Sequence, residues 1–352
     1  MKISIFLIES SYRFIIRPIL FKFNSETVHN LCLKTGRLLG KSKILRSIIS
    51  FFLGKKYETV KIAGIDFDSK MGLSAGFDYD ADLFNLSPAL GFGFTTIGTV
   101  TNRPYSGNKS PQLGRLIKTK GLLVNKGFKS SGIDEVLKKI NQKYFDIPTG
   151  ISIGKTNIIE LDTIEKATDD IKEAFQKTLA SNINFSFYEL NISCPNLHGD
   201  LSFYTNENLS YLLNEITSLG INKPIFIKMP IELEDEKTIE LLEIIKDFSI
   251  EGVIFGNLQK DRSHPTIIKE EIAVYAKGYA SGLPTKERST ELIRITKKRF
   301  GDRFIIIGCG GIFNTKDAQE KLDAGADLLQ LITGLVFEGP QLVAKINREL
   351  SN

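Results

Sequence analysis

The sequence has no tryptophan, and only three methionines, three histidines and three cysteines in 352 residues. Cys32, Cys194 and Cys309 are odd in number and far apart, which suggests no disulfide framework and fits a reducing compartment. No CxxC occurs, and His29, His198 and His264 lack metal-ligand spacing, so no metal site is expected. No apolar run approaches the roughly 18 residues that span a bilayer. The early run "ISIFLI" is cut short by Glu9 with no small-residue cleavage site after it, so a secretory leader is a poor fit. A GxGxxG after the first strand is also missing, which weakens a dinucleotide-binding reading. There is no low-complexity segment.

Apolar residues make up 42% and charged residues 25%, ordinary for a soluble protein able to bury a sizeable core. The net charge of +5 is uneven. Residues 1–60 hold eleven Lys or Arg against three acidic residues, a net +8 that leaves −3 for the rest. A basic head implies an anionic partner, either a membrane surface or nucleic acid. Residues 1–55 read as amphipathic helices in which "SYRFIIRPILFKF" and "KILRSIISFFLGKK" mix bulky apolar with basic side chains. Ser25 is a plausible N-cap, and Pro18 should interrupt or kink any helix through it. Such a segment either lies in a membrane interface or packs on the main domain, and the charge tilts the balance toward the membrane.

From residue 71 the rhythm changes. Strand-like runs at 71–75, 94–100, 149–153, 187–193, 225–229, 252–256, 304–308 and 327–331 alternate with helical stretches near 81–90, 131–141, 168–181, 206–219, 235–248, 287–299, 315–324 and 338–350. Several runs are continuously apolar, as expected for parallel strands covered on both faces. Eight strand–helix pairs predict a (β/α)8 TIM barrel over 56–352 with a small helical N-terminal extension over 1–55. An open doubly wound sheet is the alternative.

Sites on such barrels lie at the C-terminal ends of the strands. That rule selects Ala75, Gly76, Thr99, Asn191, Cys194, Asn196, Lys228 and Asn257, then "GCGGIF" (308–313) and "TGLVF" (333–337). Glycine-rich turns after the last two strands suit a phosphate cradle, though either alone could be an ordinary tight turn. Lys228 ends an apolar strand and either snorkels or faces an electron-rich ligand. Cys194 is either inert filler or a base, and no nearby histidine supports acyl transfer. Asparagines beside it offer donors and acceptors to a small polar heterocycle.

The segments "SAGFDYD", "GFGFTTIGTVTNRPYSGNKSPQLGRL", "ELNISCPN", "IKM", "SGLPTKERSTELI", "IIGCGGI" and "GADLLQLITGLVFEGP" resemble the dihydroorotate dehydrogenases. The stretch "YRFIIRPILFKFNSETVHNLCL" resembles the membrane-associated, quinone-using class. The resemblance runs from about residue 12 to the end. It implies an FMN-dependent oxidation of dihydroorotate to orotate in pyrimidine synthesis, with a membrane quinone as acceptor. By position, Cys194 would be the base, with Asn191, Asn196, Asn257, Gly127 and Phe128 at the substrate. Ala75, Gly76, Tyr79, Thr99, Ser152, Lys228, Gly256 and Gly282 would surround the FMN, and Gly311, Thr333 and Gly334 its phosphate. The protein would be a monomer held peripherally on the cytoplasmic face of the cell membrane, with no nucleic-acid partner.

The chain departs from the family's pattern in places. Cys194 stands where the quinone-using class has serine, Tyr79 where the family has a lysine, and Val124 where it has an asparagine. Ser152, Gly256 and Leu258 replace further polar residues. These departures keep two other readings in play: a different cyclic substrate or acceptor on the same flavin barrel, or a non-catalytic membrane-peripheral relative.

Overall fold

The computed structural model describes residues 2–54, 57, 59–140, 144–198 and 201–351; the expected boundary at 55/56 lies outside them. Four helices form the head: α1 (Lys2–Ser11), α2 (Arg17–Leu20), α3 (Ser25–Lys41) and α4 (Lys43–Leu53). The Asn24 side chain caps α3 by accepting from the Glu26 and Thr27 N–H groups, and Ser42 caps α4 by accepting from Leu45. Asn24, one residue before Ser25, is therefore the cap. Pro18 sits in the first turn of α2, where its missing N–H costs nothing. The expected disruption appears just upstream, where Tyr12–Ile16 widens into a π-helical turn.

Strands follow in the order β1 (Val60–Ile62), β2 (Ile65–Phe67), β3 (Met71–Leu73), β4 (Phe94–Val100), β5 (Leu113–Leu116), β6 (Gly121–Val124), β7 (Thr149–Ile153), β8 (Phe187–Asn191), β9 (Ile225–Met229), β10 (Gly252–Phe255), β11 (Tyr279–Ala280), β12 (Ile305–Cys309) and β13 (Leu328–Leu331). Eight of them, β3-β4-β7-β8-β9-β10-β12-β13, close into a parallel barrel. All eight match the runs read from the sequence, three of them residue for residue and five with an end shifted by one or two. Isoleucine, leucine and phenylalanine from strands and outer helices fill the layer between them.

An aromatic plug fills the N-terminal end of the barrel. Phe67 of the β1–β2 hairpin meets Phe94 edge-on at 5.2 Å, and Phe94, Phe187 and Phe226 continue the ring contacts. Gly72 and Gly150 make room for it, since a Cβ at either would come within 2.3 Å of the Phe94 ring or 2.1 Å of the Phe187 ring. Each fully buried phenylalanine contributes about 2–3 kcal/mol.

Two features differ from the sequence reading. Residues 81–90 do not form a helix; only Ser87–Leu90 makes a 3-10 turn. The cause is upstream: the buried Asp78 carboxylate accepts from the N–H groups of Asp82 and Leu83, and Ala81 takes a left-handed φ of 56°. In addition, β5, β6 and β11 form a small antiparallel sheet outside the barrel. Among the described residues no helix is long and apolar enough to cross a membrane.

Candidate active site

A cavity of about 790 Å³ lies at the C-terminal end of the barrel strands and continues beneath the helical head. Every site residue expected from the sequence lines it except Ser152. Ser152 is fully buried and supports the wall from behind, its Oγ 3.0 Å from Thr99 Oγ1.

The polar end is fixed by hydrogen bonds between loops. Asn191 Nδ2 donates to Thr99 Oγ1 at 2.7 Å, and its Oδ1 accepts from the Ser193 N–H and hydroxyl at 3.2 and 2.8 Å. Asn257 Nδ2 donates to the Ser193 carbonyl and Oγ at 2.6 and 2.7 Å. Ser193 thus sets two carboxamides at once. Asn196 donates to the Val124 carbonyl at 3.1 Å, and its own carbonyl accepts from Asn108 at 2.9 Å and Asn157 at 3.3 Å.

Cys194 lies between these amides. The residue keeps contact with the cavity, but burial of its thiol pushes the pKa up to about 12; a hydrogen bond from the Asn196 N–H and the charges of Lys260 and Lys228 oppose the rise without cancelling it. The group is a neutral thiol that becomes a strong base once deprotonated. Lys228 is the register partner of Asn191 on the next strand and donates to Ser74 Oγ at 3.2 Å. Beneath it Glu189 accepts from Thr96 and Gln330, each at 2.7 Å. Burial raises the Glu189 pKa while the Lys228 charge pulls it down.

The opposite wall suits a phosphorylated planar cofactor. Among the described residues, no protein acceptor takes the N–H groups of Gly311, Ile312, Thr333 or Gly334, all of which line the cavity. Such a run of free donors is an anion cradle. Gly76, at φ 113°, brings bare backbone to the cavity, where a Cβ would meet only Ile332 Cδ1, at 3.4 Å, so its wall can accept a flat ring. Free N–H donors beside a flat glycine wall therefore fit a group that carries both a planar ring and a phosphate.

The head closes the cavity. Tyr12 donates to the Val336 carbonyl at 2.8 Å, Arg17 to the Phe337 carbonyl at 2.7 Å, and Arg13 pairs with Glu338. His29 stacks on Tyr79 at 5.6 Å and is edge-on to Phe77; burial, aided by the Lys126 charge, pushes its pKa down to about 3, so the ring is neutral. Outward, Phe14, Ile44 and Phe51 are 80%, 74% and 77% exposed.

Sequence reading missed Asn108, Asn157, Ser193 and Lys126. Asn108, Asn157 and Lys126 sit on loops away from the strand ends that were read, where only the local excess of carboxamides could have pointed to them, whereas Ser193 lies at the end of β8 between two residues that the strand-end rule selected. Among the described residues no group of three His, Cys, Asp or Glu gathers as a metal site.

The family model for dihydroorotate dehydrogenase matches residues 57–352. A dihydroorotate dehydrogenase (quinone) of Christiangramia forsetii is 34% identical over 350 residues, spanning 96% of this chain and 98% of the relative. One of Chromobacterium violaceum is 34% identical over 346 residues, spanning 95% and 96%. A crystal structure of DHODH from Eimeria tenella in complex with ferulenol superposes with a TM-score of 0.79 at 24% identity, covering 94% of this chain and 93% of that one. That last likeness speaks for the fold.

Proposed function

The chain belongs to the dihydroorotate dehydrogenase family, and on that premise we propose that it oxidises dihydroorotate to orotate with FMN and passes the electrons to a membrane quinone. The observation that carries the reading is the single cavity, which joins Cys194 and its asparagines at one end to the helical head at the other. Bound FMN would supply the two-electron acceptor for the hydride leaving C6 and the donor to the quinone. Cys194 Sγ takes the proton leaving C5 as the C5–C6 double bond forms. Asn191, Asn196 and Asn257 hold the ring amides, with Asn191 oriented by Thr99 and Ser193, Asn257 by Ser193 and Asn196 by the Val124 carbonyl. Lys228 presents a positive charge to the flavin face of the site. The departure at Cys194 suits this chemistry, because a thiol is more acidic than a hydroxyl.

The exposed apolar side chains of α1 to α4 and the basic balance of the head support peripheral binding to the cytoplasmic face of the cell membrane, with the quinone entering between the head and the barrel. The deciding experiment is anaerobic. Dihydroorotate is added to the detergent-purified protein, and the yellow flavin absorbance is expected to bleach. A yellow protein that stays oxidised would sink the substrate assignment and return the alternative of a different cyclic substrate.

A further inference from the structure

Resting on that reading, the substrate is an anion, and the cavity must supply its counter-charge. Four cationic side chains line the cavity: Arg115, Lys126, Lys129 and Lys228. Three are committed. Arg115 donates to the Phe21 and Phe23 carbonyls at 3.3 and 2.8 Å and covers the Phe21 ring at 4.8 Å. Lys129 reaches Gln112 Oε1 at 3.5 Å. Lys228 donates to Ser74 and stands over Glu189.

Lys126 is different. Its Nζ lies 4.4 Å from the centre of the Tyr79 ring, and among the described residues no hydrogen bond or ion pair reaches it. The carboxylates that feel its charge are already occupied. Glu26 accepts from the backbone N–H groups of Gln112 and Leu113, and Asp80 accepts from the Ser131 N–H and hydroxyl at 2.9 Å each. A half-buried ammonium with donors and no protein acceptor is costly. Consistent with that, burial and the neighbouring Lys129 push its pKa down to about 7. Its backbone is held against the polar end of the cavity. The Val124 carbonyl accepts from Asn196, and at Gly127 a Cβ would fall 2.5 Å from Asn157 Nδ2 and 2.9 Å from the Asn196 carbonyl. The missing acceptor is therefore expected beside the carboxamide cluster.

We propose that Lys126 is the cation that holds the carboxylate of the ring substrate, doing from the 124–128 loop what the neutral Tyr79 phenol beneath it does not. The lysine and the tyrosine ring share one place, so a cation delivered from either position reaches the same point.

Two ligands separate the charge from the ring: orotate, and its uncharged methyl ester. Both are titrated against the oxidised protein by their perturbation of the flavin spectrum. Lys126→Met is expected to weaken orotate by about tenfold or more while changing the ester by about twofold at most, the scale of a lost charge-assisted bond. Adding Tyr79→Lys to Lys126→Met is expected to recover most of the orotate affinity. The inference is overturned if Lys126→Met binds orotate like the parent, if it loses both ligands equally, or if it changes only the reoxidation of reduced flavin by a short-chain quinone. A parent protein that binds no orotate fails before any substitution is made, and overturns the functional reading together with the inference.

Discussion

Asn191 donates to Thr99 Oγ1 at 2.7 Å across 92 positions of sequence, while Ser193, two residues on, fixes its carbonyl oxygen. One N–H of this carboxamide is left for a ligand, and its direction is fixed on both sides. Ser193 is a positioning residue, since it also holds Asn257. Ser193→Ala should weaken orotate binding by about tenfold, as two presented amides each lose their bond to the hydroxyl and keep only the one to the Ser193 backbone. Fluorescence titration checks the affinity, and retained flavin content checks the fold.

The neutral state of Cys194 makes a pH prediction. In the proposed reaction the thiolate is the base, and a thiol raised to about 12 is only fractionally ionised at every pH below that. Flavin reduction by dihydroorotate should therefore speed up as pH rises through the neutral and mildly alkaline range. Cys194→Ser should be slower and rise only at still higher pH. Cys194→Ala should be slowed by about two orders of magnitude or more. Stopped-flow reduction at constant ionic strength reads all three; a parent rate flat across that range would return Cys194 to the role of filler.

Lys126 gives the opposite slope at equilibrium. Its charge is present below about 7 and lost above, so orotate affinity should decline as pH rises past neutrality, with a proton taken up on binding. The groups facing it are Glu26, Asp80, Lys129, and the His29 and Tyr79 rings. His29 is already neutral throughout this range, with a pKa near 3. Calorimetry in buffers of different ionisation enthalpy counts the proton, and a slope that survives Lys126→Met would assign the titration elsewhere.

The head offers a separable test. Phe14, Ile44 and Phe51 project from its outer face. Replacing all three by serine should reduce binding to anionic phospholipid vesicles by about three orders of magnitude or more, since each large apolar side chain contributes about 1.5–3 kcal/mol when buried. Dihydroorotate-driven bleaching should be unchanged. Co-sedimentation with vesicles decides it; undiminished binding would remove the apolar face from the membrane argument.

The barrel was legible because parallel strands buried on both faces leave continuous apolar runs, as in "FTTIGTV" and "IFIKM". The false helix at 81–90 had a helix-like pattern, but its hydrogen-bond donors went to the Asp78 carboxylate. The outer sheet was hidden because β5 and β6 are four residues each and β11 is only two, joined across more than 150 positions. The strand-end rule picked Asn191, Cys194 and Lys228, all of which line the cavity. Lys126 was out of reach of that rule, because its place opposite Tyr79 exists only after the 124–128 loop has folded over the barrel mouth.

The clasp of Tyr12, Arg13 and Arg17 on residues 336–338 bears on what removing the head would leave behind. Cutting away the head would not yield a clean catalytic core. It would strip the partners from the segment that follows the Thr333–Gly334 turn and lay open the greasy floor formed by Leu83, Leu86 and Leu90. The outer face is better altered residue by residue, with the inner face left in its seat.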